Sequence, residues 1–383
     1  MSILAVSNTT FAQQQDHLAA QIRAGNIVVP RGHGSSQIGL AAGQELNAPD
    51  ALWDFDPSAL TLTVSAGTPR DTIETLLRDQ GQCLAFEPPH MQGLLGQSKV
   101  GNNAGTIGGM VATNASGPRR VAVGACRDFC LGVAYVDGLG RLIKNGGRVM
   151  KNVTGLDLVK LMAGSHGTLG LITEVSLKTQ PIPEMTATLT IENLNEVDAV
   201  TAMSAALGTP FSVTGAAHVR ADRHGAFART LIRIEGFESS VSYRIEALQN
   251  ALERFGHSTV EWDQTANADI WRAIRDVDRF HAMTGDVWRV SVKPSDAPKL
   301  VEAVQPLDVI YDWGGGRLWL LTQPNTDVRA QMTAGHATLV RASDATKQAL
   351  GVFHPENALV AKISAGLREK FDPMQKFNRG MMS

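Results

Sequence analysis

Apolar and polar positions alternate along this chain with two different periods, and the places where one gives way to the other predict its elements. Residues Thr10 to Arg23 read as an amphipathic helix, followed by a short apolar strand, Ile27-Val28-Val29, that ends at Pro30. A second strand is expected over Leu60 to Ser65. Pro69 then stands near the start of a helix, where its fixed φ and missing donor do no harm, and Gly81 stops that helix. Strands at Phe129 to Val136 and Leu169 to Leu177 complete a first α/β unit, and Pro181 and Pro183 punctuate a junction behind it.

Beyond the junction, strand-like runs at Met185 to Ile191, Thr230 to Ile234 and Trp288 to Val292 alternate with helical stretches at Ser240 to Phe255 and Pro294 to Val304. That mixture predicts an antiparallel sheet covered on one face by helices. A last helix, Asn357 to Lys370, leads to Phe371-Asp372-Pro373 and a tail. The fold class is therefore α+β. Its expected divisions are residues 1–180, a cap over 181–345, and a C-terminal helix and tail over 346–383.

Length and charge narrow the function. At 383 residues the chain is long enough for two or three domains, each with its own core. A formal net charge of −2 gives no electrostatic reason to expect nucleic acid, and 43% apolar residues is ordinary for a globular protein. No run reaches the ~18 apolar residues of a transmembrane helix, and the start MSILAVSNTT lacks the pattern of a signal peptide, so a cytoplasmic chain is expected. Cys83, Cys126 and Cys130 form no CxxC pair, which points to reduced thiols and to no iron–sulfur centre in this chain.

Three glycine-punctuated loops, each beside a strand, carry the chemistry. The first, Arg31-Gly32-His33-Gly34-Ser35-Ser36-Gln37-Ile38-Gly39, would turn successive N–H groups inward as a nest for a pyrophosphate. Its glycine spacing fails both the Rossmann fingerprint and the P-loop, so another phosphate-binding fold is implied. The second is GTIGGMVATNASG, Gly105 to Gly117, an uncharged backbone open to close approach, with Thr106, Thr113, Asn114 and Ser116 offering polar groups. The third runs from Lys151 to Glu174 into the strand beginning near Leu169. There Lys151, Asn152 and Asp157 read either as ligand-facing or as a solvated loop, with Asp157 placed to cap a short helix.

These loops, with GGRVMKNVTGLDLVKLMAGSHGTLGLITEV, WGGGRLWL and the ending FDPMQKFNRG, resemble the FAD-binding oxidoreductases of the vanillyl-alcohol oxidase type, and among them the FAD-binding subunits of bacterial glycolate oxidases. The resemblance implies a two-subdomain FAD-binding domain followed by an α/β cap, and a tail that returns to put Asn378 near the flavin. It implies that Arg31, Gly32, His33, Gly34, Ser35, Ser36 and Gly39 surround the pyrophosphate. Thr106, Ile107, Gly108, Gly109, Ala112, Thr113, Asn114, Ser116 and Gly117 would run past the pyrophosphate and the ring. The segment holding Gly170 and Ile172 would meet the adenine end. Some relatives attach flavin through a histidine where this chain has Ser35, so non-covalent FAD is expected.

The resemblance further implies a larger FAD-containing catalytic subunit and an iron–sulfur subunit as partners, a small 2-hydroxy acid as substrate, and contact with a membrane only through those partners. Catalytic relatives place a metal on a cap motif with Gly-Asp-Gly-Asn between two histidines. Here Val219-Arg220-Ala221-Asp222-Arg223 lies between His218 and His224, so no metal is expected and both histidines read as surface residues in a basic turn. Arg289, Arg317 and Arg379 are candidate carboxylate clamps by position, because a guanidinium fork matches two oxygens. Trp313 and Trp319 read as core, and neither His336 nor His354 has a visible carboxylate partner. The catalytic residues stay unassigned, and a flavin relay with no substrate site of its own remains an alternative to a hydroxy-acid oxidoreductase.

Overall fold

The computed structural model describes residues 3–4, 8–50, 53–96, 105–148, 155–221 and 226–382. Its first sheet is antiparallel throughout, in the order Ile3–Leu4, Trp53–Asp56, Thr61–Ser65, Leu171–Lys178, Cys130–Val136, Leu142–Gly146. The strands Thr61–Ser65 and Leu171–Lys178 are buried almost throughout because both faces of the sheet are covered. On one side lie Ile73 and Leu77 of helix Arg70–Asp79 with Ile107, Met110 and Val111 of helix Ile107–Ala112. On the other side Leu18 and Ile22 of helix Asn8–Arg23 meet Val136 and Leu171.

Beside this sheet stands a parallel pair, Val28–Arg31 with Gln44–Asn47. The C-terminal tail adds to its edge: Val28 N–H donates to the Lys376 carbonyl at 2.8 Å, and Asn378 N–H donates to the Val28 carbonyl at 3.0 Å. Residues 376–378 thus act as one more strand, which brings Asn378 next to the glycine loop after Arg31.

The cap is an eight-stranded antiparallel sheet. Its order is Ser258–Glu261, Met185–Glu192, Arg229–Gly236, Gly215–Val219, Asp308–Asp312, Arg317–Thr322, Asp286–Ser291, His336–Arg341. Strand residues alternate between faces. One set, including Leu189, Ile232, Trp288 and Leu320, packs under helices Glu196–Leu207, Glu238–Leu252 and Ala297–Val304. The other set, including Leu231, Val287, Trp319 and Leu321, packs with Ile38 and Leu94 of the first unit and with Trp271 and Ile274 of helix Gln264–Asp276.

The stretch read as one continuous glycine loop, Gly105 to Gly117, contains a helix, Ile107–Ala112. Thr106 caps it, its Oγ1 accepting from Gly109 N–H at 3.2 Å, and the apolar residues between the glycines supply the buried face. Glycine at 108 is required by packing, since a Cβ there would come within 2.6 Å of the Ala66 Cβ.

The two units meet through a joint of paired charges. Arg233 of the cap grips Glu87 of the first unit with two hydrogen bonds, 2.8 and 2.9 Å, and Arg119 of the first unit reaches Glu235 of the cap at 2.5 and 3.0 Å. Burial pushes the Glu87 carboxyl up, but the Arg233 and Arg119 charges more than offset it and hold it down at about 2.

Candidate functional site

The three loops converge on one cleft of about 1000 Å³, part of it open to solvent. The loop after strand Val28–Arg31 turns through Gly34, whose φ of +70° is left-handed backbone that glycine adopts without strain. Gly32 lies so close to Thr106 that a Cβ would stand 2.1 Å from its Oγ1, so the first loop rests directly on the capped end of helix Ile107–Ala112. Arg31 to Ser36 all line the cleft, as do Thr106, Gly108, Gly109, Ala112 and Thr113. Gly170, Ile172 and Asn378 close it from the third loop and the tail. Gly167 lets those two meet, and the Asn378 side-chain amide donates to the His166 carbonyl at 2.7 Å.

The remaining predicted positions serve other contacts. Ile107 is in the core, and Gly39 packs on Met381, a cleft residue itself. Asn114 Oδ1 accepts from Arg127 N–H at 3.0 Å, and Ser116 Oγ accepts from Cys126 N–H at 3.0 Å. Gly117 is pressed against Glu87, where a Cβ would lie 2.1 Å from the carbonyl oxygen, and its own carbonyl accepts from Trp313 Nε1 at 2.9 Å. Ala115 still lines the cleft, and the carbonyls of Ser116 and Gly117 meet the cap. Lys151 and Asn152 lie outside the described residues, and Asp157 caps helix Leu158–Met162, its Oδ1 accepting from Lys160 N–H at 3.1 Å.

Arg70 and His166 are among the cleft residues that the sequence did not single out. Arg70 is buried, with Nη1 on the Pro89 carbonyl at 2.9 Å and Nε 3.1 Å from Glu74. The signal was a cation at the first position of a helix, where the macrodipole disfavours it unless something else holds it. His166, at φ +51°, is kept neutral by burial and by the Arg289 charge, its pKa pushed down to about 4.

Buried polar atoms are normally hydrogen-bonded. Arg31 Nε, Arg70 Nη2 and Asn378 Oδ1 are buried without a partner among the described residues, and all three residues line this cleft. Two cationic donors and an amide oxygen along a glycine-walled cleft fit an extended, polar, phosphate-bearing cofactor such as FAD. Asp71, Glu74 and His90 lie close enough together to hold a metal ion, but the Arg70 guanidinium already neutralises Glu74.

The cap candidates separate sharply. His218 is not a surface residue: it is buried on strand Gly215–Val219, its Nδ1 is 2.9 Å from Thr230 Oγ1, and its ring meets Tyr311 edge-on. Burial, with the Arg220 charge, pushes its pKa down to about 4. Its neighbour His224 lies outside the described residues. Arg317 is held by Asp312 and by the Ser116 carbonyl, and Arg379 is exposed. Trp319 is core, whereas Trp313, at φ +54°, lies under the guanidinium groups of Arg120 and Arg317. His354 Nδ1 accepts from Ala337 N–H at 3.3 Å.

The fold and the cleft define a protein with an FAD-binding domain, and the family model for that domain matches residues 6–146. A solved alkyldihydroxyacetonephosphate synthase superposes with a TM-score of 0.69 over 97% of this chain and 76% of that one; at 16% identity the likeness is one of fold. The glycolate oxidase subunit GlcE of Escherichia coli (strain K12) is 35% identical over 334 residues, 86% of this chain and 83% of that protein, and the chain belongs to its family. Shorter matches reach a D-lactate dehydrogenase of Anaerostipes hadrus, 44% identical over 27% of this chain and 22% of that protein. A D-2-hydroxyglutarate dehydrogenase of Xanthomonas citri pv. viticola is 34% identical over 37% of this chain and 27% of that protein.

Proposed function

We propose that this chain is the FAD-binding subunit of a glycolate oxidase complex that oxidises glycolate or a similar small 2-hydroxy acid to the 2-oxo acid. The observation that carries the reading is the set of orphaned polar atoms, Arg31 Nε, Arg70 Nη2 and Asn378 Oδ1, along one glycine-walled cleft. Bound there without a covalent link, FAD would supply the acceptor for a hydride. Arg31 and Arg70, already ion-paired with Glu45 and Glu74, would donate their unpartnered N–H groups to it, the glycines at 32, 34, 108 and 109 would let backbone approach it, and Asn378 would fasten the tail over it.

Electrons would leave to a larger flavoprotein subunit and an iron–sulfur subunit. The three cysteines are free thiols, two of them buried, and offer no cluster site. No helix among the described residues is long and apolar enough to cross a membrane, so the complex would reach one through its partners. A second reading, a flavin relay without its own substrate site, is favoured by His218, which is turned into the sheet and bonded to Thr230 rather than free to bind a metal.

An anaerobic titration of the FAD-loaded chain with glycolate and with D-lactate tests the two. Prompt bleaching of the oxidised flavin band is expected of an oxidoreductase, and bleaching only after the partner flavoprotein is added would establish the relay. A folded chain that takes up no FAD would overturn both.

A further inference from the structure

The cap face turned toward the cofactor unit carries a second set of charges, and these are not balanced. In strand Asp286–Ser291, Trp288 and Val290 enter the helix-covered core, so Arg289 emerges on the opposite face beside Val287. It stands in register between Trp319 on one neighbouring strand and Thr338 on the other. Arg317 shares that face, and Arg120 enters from the first unit to lie 4.5 Å from the centre of the Trp313 ring, on which Arg317 also rests at 4.1 Å.

Asp312 answers only Arg317. Among the described residues no carboxylate or carbonyl hydrogen-bonds the side chains of Arg289 and Arg120, only Arg120 feels an acid, Asp128, and Trp319 Nε1 is a buried donor without a partner. Burial, with the Arg317 and Arg120 charges, pushes the Arg289 guanidinium down to about 10. The corner is thus rich in donors and poor in acceptors. Arg289 and Arg120 are half-buried, and partly desolvated cations are normally paired.

The corner adjoins the cofactor cleft. Ala337, paired with Val290 across the strands, donates its N–H to His354 Nδ1, and the preceding Phe353 meets the cleft residue His166 edge-on at 4.9 Å. The Arg289 charge is felt at His166.

We propose that Arg289 and Arg120 bind the carboxylate of the small 2-hydroxy acid at the edge of the cofactor cleft, so that substrate touches this chain. The proposal rests on the flavin reading above. A carboxylate and a cofactor phosphate share the chemistry this corner selects, a compact oxyanion facing two guanidinium groups.

The test is a titration of the purified chain, with and without FAD, by oxalate, a small carboxylate that cannot give up a hydride. Calorimetry and the flavin spectrum report binding. Wild type is expected to saturate, Arg289→Met to weaken oxalate on the order of a hundredfold with FAD content unchanged, and Arg120→Gln to weaken it roughly tenfold. Unchanged oxalate affinity in the variants, or no binding to wild type, overturns the proposal. Loss of FAD from a folded Arg289→Met chain also overturns it, since the anion would then be the cofactor's own phosphate. If the chain takes no FAD at all, the flavin reading fails by itself, and calorimetry on the flavin-free chain still decides the corner. Arg120→Gln keeps the test open if Arg289→Met does not fold.

Discussion

Two places where the cap touches the cofactor unit are built from the same residue types with opposite arithmetic. At the joint, Arg233 and Arg119 face Glu87 and Glu235, two cations against two anions, every guanidinium held by a carboxylate. At the corner, among the described residues, Asp312 holds Arg317, the Asp128 charge reaches Arg120, and Arg289 has no carboxylate partner. A balanced cluster costs little more than its desolvation and fixes geometry, whereas an unbalanced one stays unfavourable until a ligand completes it. The first holds the cap in place; the second is open to an anion.

The largest test of that contrast is Arg233→Met. Removing this cation leaves Glu87 and Glu235 to share Arg119, and breaking a buried pair in this way costs about 3–5 kcal/mol. Arg233 also lies 4.4 Å from the Trp271 ring, so the loss extends into helix Gln264–Asp276. A drop of that size in unfolding free energy, read from the denaturant midpoint, is expected. A drop under about 1 kcal/mol, the usual worth of an exposed pair, would mean that the joint is ordinary surface charge.

Acid separates the joint from two histidines elsewhere in the molecule. His166 and His218 have pKa values depressed to about 4 from 6.5, so the unfolded chain takes up protons first and stability falls as pH drops from 6.5 toward 4. Glu87 is depressed from 4.5 to about 2, so its contribution is whole above pH 4.5 and is lost as pH falls toward 2. A two-stage decline is expected in wild type. Arg233→Met should keep the upper stage and flatten the lower one, and a variant that retained both would detach the lower stage from the joint.

How much of this was legible beforehand follows from how far apart in sequence the partners lie. The cofactor loops are contiguous, so Arg31 to Ser36 and Thr106 to Thr113 could be read as units, and the strand and helix boundaries of both units fall close to the predicted ones. Reading the second glycine run to its end assigned Asn114, Ser116 and Gly117 to the flavin. In the structure they meet Arg127, Cys126, Glu87 and Trp313, contacts that no local pattern announces. His218 looked like part of a basic turn because Arg220 and Arg223 follow it, yet the residues before it extend a strand whose partner Thr230 takes its ring nitrogen. Alternation in strand Asp286–Ser291 gives the face of Arg289. It cannot give what faces that guanidinium, which depends on the neighbouring strands and on Arg120 of the first unit.

The smallest expected effect has the opposite sign from the largest and closes the comparison. Without an anion, Arg289→Met removes a half-buried cation that no carboxylate among the described residues answers and leaves an unbranched apolar chain beside Trp319. The variant should therefore be more stable than wild type, by about 1 kcal/mol. Saturating oxalate should reverse the order, because a ligand stabilises the form that binds it. Thermal midpoints of both proteins with and without oxalate check this. If Arg289→Met is instead destabilised to the degree of Arg233→Met, the protein itself must supply the missing acceptor. The corner would then be a second joint, and the arithmetic that separates the two regions would no longer hold.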